Sequence, residues 1–158
     1  MKISAQEEYG LRCLLQLGRA EEEGGLTVKE IAQGEGLSTA YVEKLLRLLG
    51  RAGLVHSVRG TKGGYLLSQH PKEIHLNAVV RALGKVETTG EICDRFPGHL
   101  NTCVHIDNCC IRSAWATLTD AIQSFLEKTT LADLVGSEAK SRVLFAERMA
   151  QPKRGLTV

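Results

Sequence analysis

Four of the five cysteines, Cys93, Cys103, Cys109 and Cys110, fall within the stretch EICDRFPGHLNTCVHIDNCCIRSAW. Thiolates are the soft donors that hold iron–sulfur clusters and zinc, so several of them on one short irregular segment point first to a metal centre. An odd number of cysteines does not close entirely into internal disulfides. The amino terminus has no apolar stretch long enough for a signal peptide or membrane span, so a cytoplasmic protein with reduced thiols is expected. The fifth cysteine, Cys13, lies among leucines and reads as a small core residue.

A second concentration of chemistry lies upstream. From Lys44 to Lys72 the chain carries Lys44, Arg47, Arg51, Arg59, Lys62 and Lys72, with His56 and His70 and no acidic residue, although the net charge of the whole chain is only +2. Such a local basic surface is suited to phosphates. Catalysis is not expected, because there is no P-loop, GxSxG or HExxH motif and no base and nucleophile pair.

The elements that must position these residues are mostly helical. At 158 residues with 43% hydrophobic and 4% aromatic content, the chain suits one compact domain, or a module that completes its core by dimerising. Residues 4 to 20 have a helical apolar period, with Ser4 as N-cap and Glu7 and Glu8 in the first turns. Thr27 caps a second helix through Gln33, Glu30 completes a capping box, and Gly34 and Gly36 are read as its stop. Ser38 caps a third helix in which Val42, Leu45, Leu46 and Leu49 repeat at i, i+3, i+4, i+7. Two short helices joined by a tight Gly-containing turn have the layout of a helix-turn-helix. Residues 54–59 and 65–68 form a hairpin with a basic tip, which makes the plan that of a winged helix.

A further helix is expected from Pro71 to Leu83, an irregular cysteine-bearing stretch from Gly84 to Cys110, and a long helix from Arg112 to Lys128. On that last helix Trp115, Leu118, Ile122 and Phe125 form a wide apolar stripe. One helix following a self-contained winged helix has too little of its own chain to cover such a stripe, so a second copy is the economical cover. Two-fold symmetry then implies an inverted-repeat DNA site. A short turn over 131–135 follows, 137–150 is compatible with helix, and the last eight residues read as a loose basic tail. The division expected is 1–83 for DNA binding, 84–111 for the cysteine loop, 112–136 for dimerisation and 137–158 as an extension.

The third helix has the parts to read a major groove. Lys44, Arg47 and Arg51 suit phosphates, whereas Ser38, Thr39 and Glu43 suit base edges, a glutamate accepting from the cytosine amine. At the wing, Arg59 and Lys62 lie beside Gly60 and other glycines that let the backbone approach closely, and an arginine there can enter a narrow minor groove.

Residues 38–68, STAYVEKLLRLLGRAGLVHSVRGTKGGYLLS, resemble the recognition helix and wing of IscR- and NsrR-type regulators of the Rrf2 superfamily, and the likeness extends from Met1 to about Val135. The AlaGlyLeuVal, ValArgGly and GlyGlyTyr run, the cysteine loop, and the Trp115 helix followed by ThrLeuAlaAspLeuVal carry it. The resemblance implies a homodimeric transcription factor in which Tyr41, Glu43, Lys44 and Arg59 contact DNA and the Trp115 helix crosses its twin. It also implies an iron–sulfur cluster, 2Fe–2S or 4Fe–4S, one per subunit, which senses redox state, nitric oxide or iron supply. The family's cluster binders separate the last two loop cysteines by five residues and place the final one six before a helix aromatic. Cys103, Cys109 and Trp115 match, which makes Cys93, Cys103 and Cys109 the implied ligands and Cys110 the spare. IscR-like proteins take a histidine three residues after the last cysteine as fourth ligand, where this chain has Arg112. NsrR-like proteins use a helix-one carboxylate of the other subunit, a position that Glu8 matches, with Cys110 and His105 as alternates. A zinc site drawn from Cys93, His99, Cys103, His105, Cys109 and Cys110, metal-free redox thiols, and an iron–sulfur carrier or assembly role stay open beside this reading.

Overall fold

The computed structural model describes residues 3–20, 24–59, 63–85 and 88–150. It is mostly helical with one two-stranded antiparallel hairpin, as expected. The first helix, α1 (Ala5–Arg19), is closed by a complete capping box in which Ser4 Oγ accepts from the Glu7 amide and the Glu7 carboxylate accepts from the Ser4 amide. Thr27 and Glu30 repeat the device at the start of α2 (Val28–Glu35). Each box satisfies two backbone donors that a helix end would otherwise leave unpaired.

Helix α2 runs past Gly34 and ends at Gly36, whose φ of 66° is the left-handed conformation of a C-cap. Gly34 is no stop. A Cβ there would lie 2.4 Å from Gln16 Nε2, so its glycine serves the close approach of α1 and α2. The same seam holds Glu35, which accepts from Arg12 Nε at 2.5 Å and from Gln16 Nε2 at 2.7 Å.

Helix α3 (Thr39–Arg51) buries Val42, Leu45, Leu46 and Leu49, the residues its period assigned inward. Strands β1 (Val55–Val58) and β2 (Gly64–Leu67) pair with Val55 opposite Leu67 and Val58 opposite Gly64. Cys13, Leu14, Ile31, Val42, Leu45, Leu46 and Leu49 are all closed to solvent in a single core.

Helix α4 (Leu76–Leu83) starts five residues later than its apolar pattern suggested. Residues 71–73 form a turn, and His75 is held in a bridge to Thr130, a pairing across distant sequence that local periodicity does not encode. The stretch read as irregular contains α5 (Thr89–Arg95), opened by a capping box of Thr88 and Glu91. Next come α6 (Cys110–Lys128), α7 (Ala132–Val135) and α8 (Glu138–Ala150). After α6 the chain returns to the core: Leu131 is fully buried and its amide donates to the Ile74 carbonyl at 2.8 Å. Helix α8 is fastened by Arg148 to Asp133 at 2.8 Å and by an edge-to-face contact of Phe145 with Phe125.

Candidate functional site

Two surfaces gather the residues that the sequence singles out. On the first, Ser38 Oγ caps α3 by accepting from the Tyr41 amide at 3.3 Å, and the buried leucine face then turns Thr39, Glu43, Lys44, Arg47 and Arg51 to solvent. Tyr41 is half-buried, its ring set edge-to-face against Tyr9 with centroids 6.1 Å apart, and Lys44 Nζ lies 5.9 Å from its centroid. Arg59 is exposed just past β1. Gly60 and Lys62, also expected at the DNA, lie outside the described residues.

Between α3 and the hairpin runs an open cleft of about 580 Å³. Glu43 and Arg47 of α3 line it together with His56 and Ser57 of β1 and Tyr65 of β2. Sequence reasoning assigned no role to His56 and Ser57. The only signal for them was that His56 falls within the acid-free run.

On the second surface, Cys93 of α5, Cys103 of the following loop and Cys109 line one cavity of about 600 Å³, with His105, Arg112 and Trp115 also in its wall. The three cysteines are half-buried, and Cys110 is exposed and does not line the cavity. Cys109 is itself the N-cap of α6, its Sγ accepting from the Arg112 amide at 3.4 Å, which is why that helix begins two residues earlier than its apolar pattern indicated. The positive end of the helix dipole therefore faces a thiol. The guanidinium of Arg112 donates to the carbonyls of Ile106 and His105, so the residue standing where IscR-type proteins have a histidine ties the loop to the first turn of α6.

The donor chemistry fits a thiolate-held cluster, with three thiols lining one cavity. They are not drawn together at bonding range: among the described residues no three His, Cys, Asp or Glu side chains are close enough to hold a metal. Glu8 is exposed on α1 and does not line this cavity; it borders an apolar groove of about 440 Å³ between α1, α4 and α6, lined also by Leu118, Ile122 and Phe125. The stripe of α6 is thus divided, Trp115 facing the cysteines and the other three the groove. Cys13 is buried as expected, and burial pushes its thiol up to about 11.

A helix-turn-helix continued by a hairpin, with basic residues on the open side of its second helix, defines a winged-helix DNA-binding protein. Residues 3–137 match the family model Rrf2, described as an iron-dependent transcriptional regulator, and the chain belongs to that family. The regulator NsrR of Geobacillus kaustophilus is 35% identical over 94% of this chain and 99% of its own length. The solved structure of CymR, described as the global cysteine regulator of B. subtilis, matches with a TM-score of 0.71 at 34% identity, covering 85% of this chain and 96% of that one. IscR of T. potens matches with a TM-score of 0.67 at 28% identity over 97% of this chain and 93% of that one. The chain is accordingly a transcriptional regulator and not an enzyme. Among the described residues no helix is long and apolar enough to cross a membrane.

Proposed function

We propose that this regulator is a homodimer that binds inverted-repeat duplex DNA and responds to redox state, nitric oxide or iron supply through an iron–sulfur cluster. The observation that carries the reading is that Cys93, Cys103 and Cys109, from three separate segments, share one cavity from which Cys110 is absent. When bound, the cluster supplies redox and ligand-exchange chemistry. The chain supplies the rest: α5 presents Cys93, Arg112 fixes the loop carrying Cys103, and the capped end of α6 presents Cys109. The position of Glu8, exposed and away from its own cysteines, supports a role toward the cavity of a second copy. Half-exposed Trp115 and Leu118 support α6 as the contact between copies.

Anaerobic purification with iron and sulfide analysis tests the cluster. Iron with visible absorption is expected in the wild type and in Cys110→Ser, and loss of both in Cys109→Ser. Iron-free protein from anaerobic cells overturns the assignment. Leu118→Glu is expected to convert a dimer to a monomer in sedimentation, and an intact dimer would remove α6 from the interface.

A second reading, a metal-free thiol sensor, is favoured by the separation of the thiols and by the structural likeness to a cysteine regulator. It predicts oxidant-sensitive DNA binding by iron-free protein.

A further inference from the structure

Glu8 stands in the first turn of α1, and helix ends fray unless something outside the helix holds them. Burial does not hold this one, because none of residues 3–8 is buried and Ile3 and Glu8 are exposed. A carboxylate on so bare a turn would wander by more than the roughly 0.5 Å that a preorganised site tolerates.

Two side chains and two glycines supply the hold instead. The side-chain amide of Gln6 donates to the carbonyl of Leu83, the last residue of α4, and so takes up one of the carbonyls that a helix end leaves unpaired. Leu83 itself is buried in the core. Glu7 lies over Gly84, the residue after α4, where a Cβ would come within 2.5 Å of Glu7 Cδ and 2.8 Å of its Cγ. Glu7 has no freedom to withdraw, because its carboxylate accepts from the Ser4 amide at 2.8 Å and from the Ser4 hydroxyl at 2.7 Å. One turn deeper, a Cβ on Gly10 would lie 2.7 Å from Leu83 Cδ2, so α1 and the end of α4 approach more closely than side chains there would allow. The φ of Gly84 is −158°, extended backbone that any residue adopts, so its bare Cα answers to Glu7 alone.

We propose that Gln6, Glu7 and Gly84 are positioning residues that clamp the first turn of α1 to the end of α4 and thereby aim the Glu8 carboxylate at the cysteine cavity of a second copy. The proposal rests on the cluster reading, in which Glu8 completes the ligand set of the neighbour. Gly84 also begins the segment that leads to Cys93 on α5, and Lys85 beside it is paired with Glu91 of that helix. The carboxylate offered to another chain and the thiol kept by this one are thus fixed from one point of the core.

The test uses the full chain, purified without oxygen. Visible circular dichroism reports the ligand geometry of the bound cluster, and the rate of iron release to a chelator reports how firmly it is held. Gly84→Ala is expected to change the dichroism and to speed iron release by about tenfold, the lower end of the effect of losing a residue that orients a metal ligand. Gln6→Met keeps the length and removes the donor, and should act in the same direction by about threefold. It disturbs no close packing, so it carries the test even where Gly84→Ala folds poorly. Glu7→Asp shortens the side chain that the new methyl strikes, so adding it to Gly84→Ala should restore most of the wild-type signal. In a Glu8→Ala background Gly84→Ala should change neither readout further, because the clamp acts only through that carboxylate. A merely structural role predicts lower thermal stability with unaltered dichroism.

Wild-type dichroism and release in both Gly84→Ala and Gln6→Met, or a further change on adding Gly84→Ala to Glu8→Ala, would overturn the clamp and leave the cluster reading standing. Dichroism of Glu8→Ala identical to the wild type would remove Glu8 from the ligand set and the clamp with it. Iron-free wild type overturns the cluster reading itself, and the clamp then has nothing to aim at.

Discussion

The winged-helix half and the cysteine half of this chain solve the burial of apolar side chains in opposite ways. In α1 to α4 the apolar stripes close on one another, and Leu14, Ile31, Leu45, Leu46 and Leu49 reach complete burial. On α6 only Leu126 is buried, while Ile111, Trp115 and Leu118 are 63%, 42% and 47% exposed. The loop before it adds Phe96 at 68% and Val104 at 73%. A single chain thus finishes its winged-helix module and leaves its cysteine half with apolar surface still in water. Exposed apolar clusters of this kind mark surfaces awaiting a partner. An amphipathic pattern shows which face is apolar, and only the assembled structure shows what covers it.

The contrast is broken most sharply by stability. Leu45→Ala should cost roughly 2–5 kcal/mol in urea unfolding, the range for emptying a fully buried leucine site. Leu118→Ala should cost well under about 1 kcal/mol where the protein is monomeric and more where it dimerises, because partner binding adds to stability by mass action. A large cost for Leu118→Ala that does not change with protein concentration would erase the distinction between the halves.

Thiol chemistry gives a second contrast. With its thiol pushed up to about 11 by burial, Cys13 holds only about one thiolate in a thousand at about pH 8. Brief alkylation of folded, metal-free protein should label exposed Cys110 and leave Cys13 untouched in peptide mass mapping. Label on Cys13 at a similar rate would mean that the core opens as readily as the loop.

The smallest expected effect is in α5, which buries no residue. Its Glu91 is held at about 2, first by Lys85 and then by the Thr88 amide of the capping box. A carboxyl depressed in the folded state contributes stability above its ordinary value of 4.5, which is lost as pH falls toward about 2. Protection of the α5 amides, taken relative to their intrinsic exchange rates at each pH, should therefore fall across that window in the wild type and stay level in Glu91→Gln.

What was legible in the sequence follows the same division. The caps of α1, α2 and α3 and the inward faces of their helices were readable, because side-chain caps and 3.6-residue periods are local. The box of Thr88 and Glu91 was equally local, but α5 has no buried face and so lacked the apolar rhythm that draws attention to a helix. The delayed start of α4 depends on His75 meeting Thr130, which no window of sequence contains. Gly34 resembled a terminator, and only the approach of Gln16 explains it. At the site, the resemblance to the family's cluster binders singled out Cys93, Cys103 and Cys109, and they share a cavity. The capping role of Cys109, the grip of Arg112 and the placing of His56 opposite Arg47 arise from tertiary proximity.

The fastening of the chain just after α6 has a mechanical consequence. Thr129 and Leu131 are fully buried, the Leu76 amide donates to the Thr129 carbonyl at 2.9 Å, and Thr129 Oγ1 donates to the Phe125 carbonyl at 2.7 Å. The helix is therefore anchored at its far end in the winged-helix core, as a lever is at its fulcrum, and its other arm, at the cysteines, rests on α5 through Thr89 Oγ1 and Thr119 Oγ1, 3.0 Å apart. Nineteen residues make an arm of about 28 Å, so a tilt of about 5° displaces the Cys109 end by about 2 Å while the fulcrum end scarcely moves. Small rearrangements at the thiols would thereby be spent at the outer end of α6, and a second copy lying against that helix, as proposed above, would receive them there.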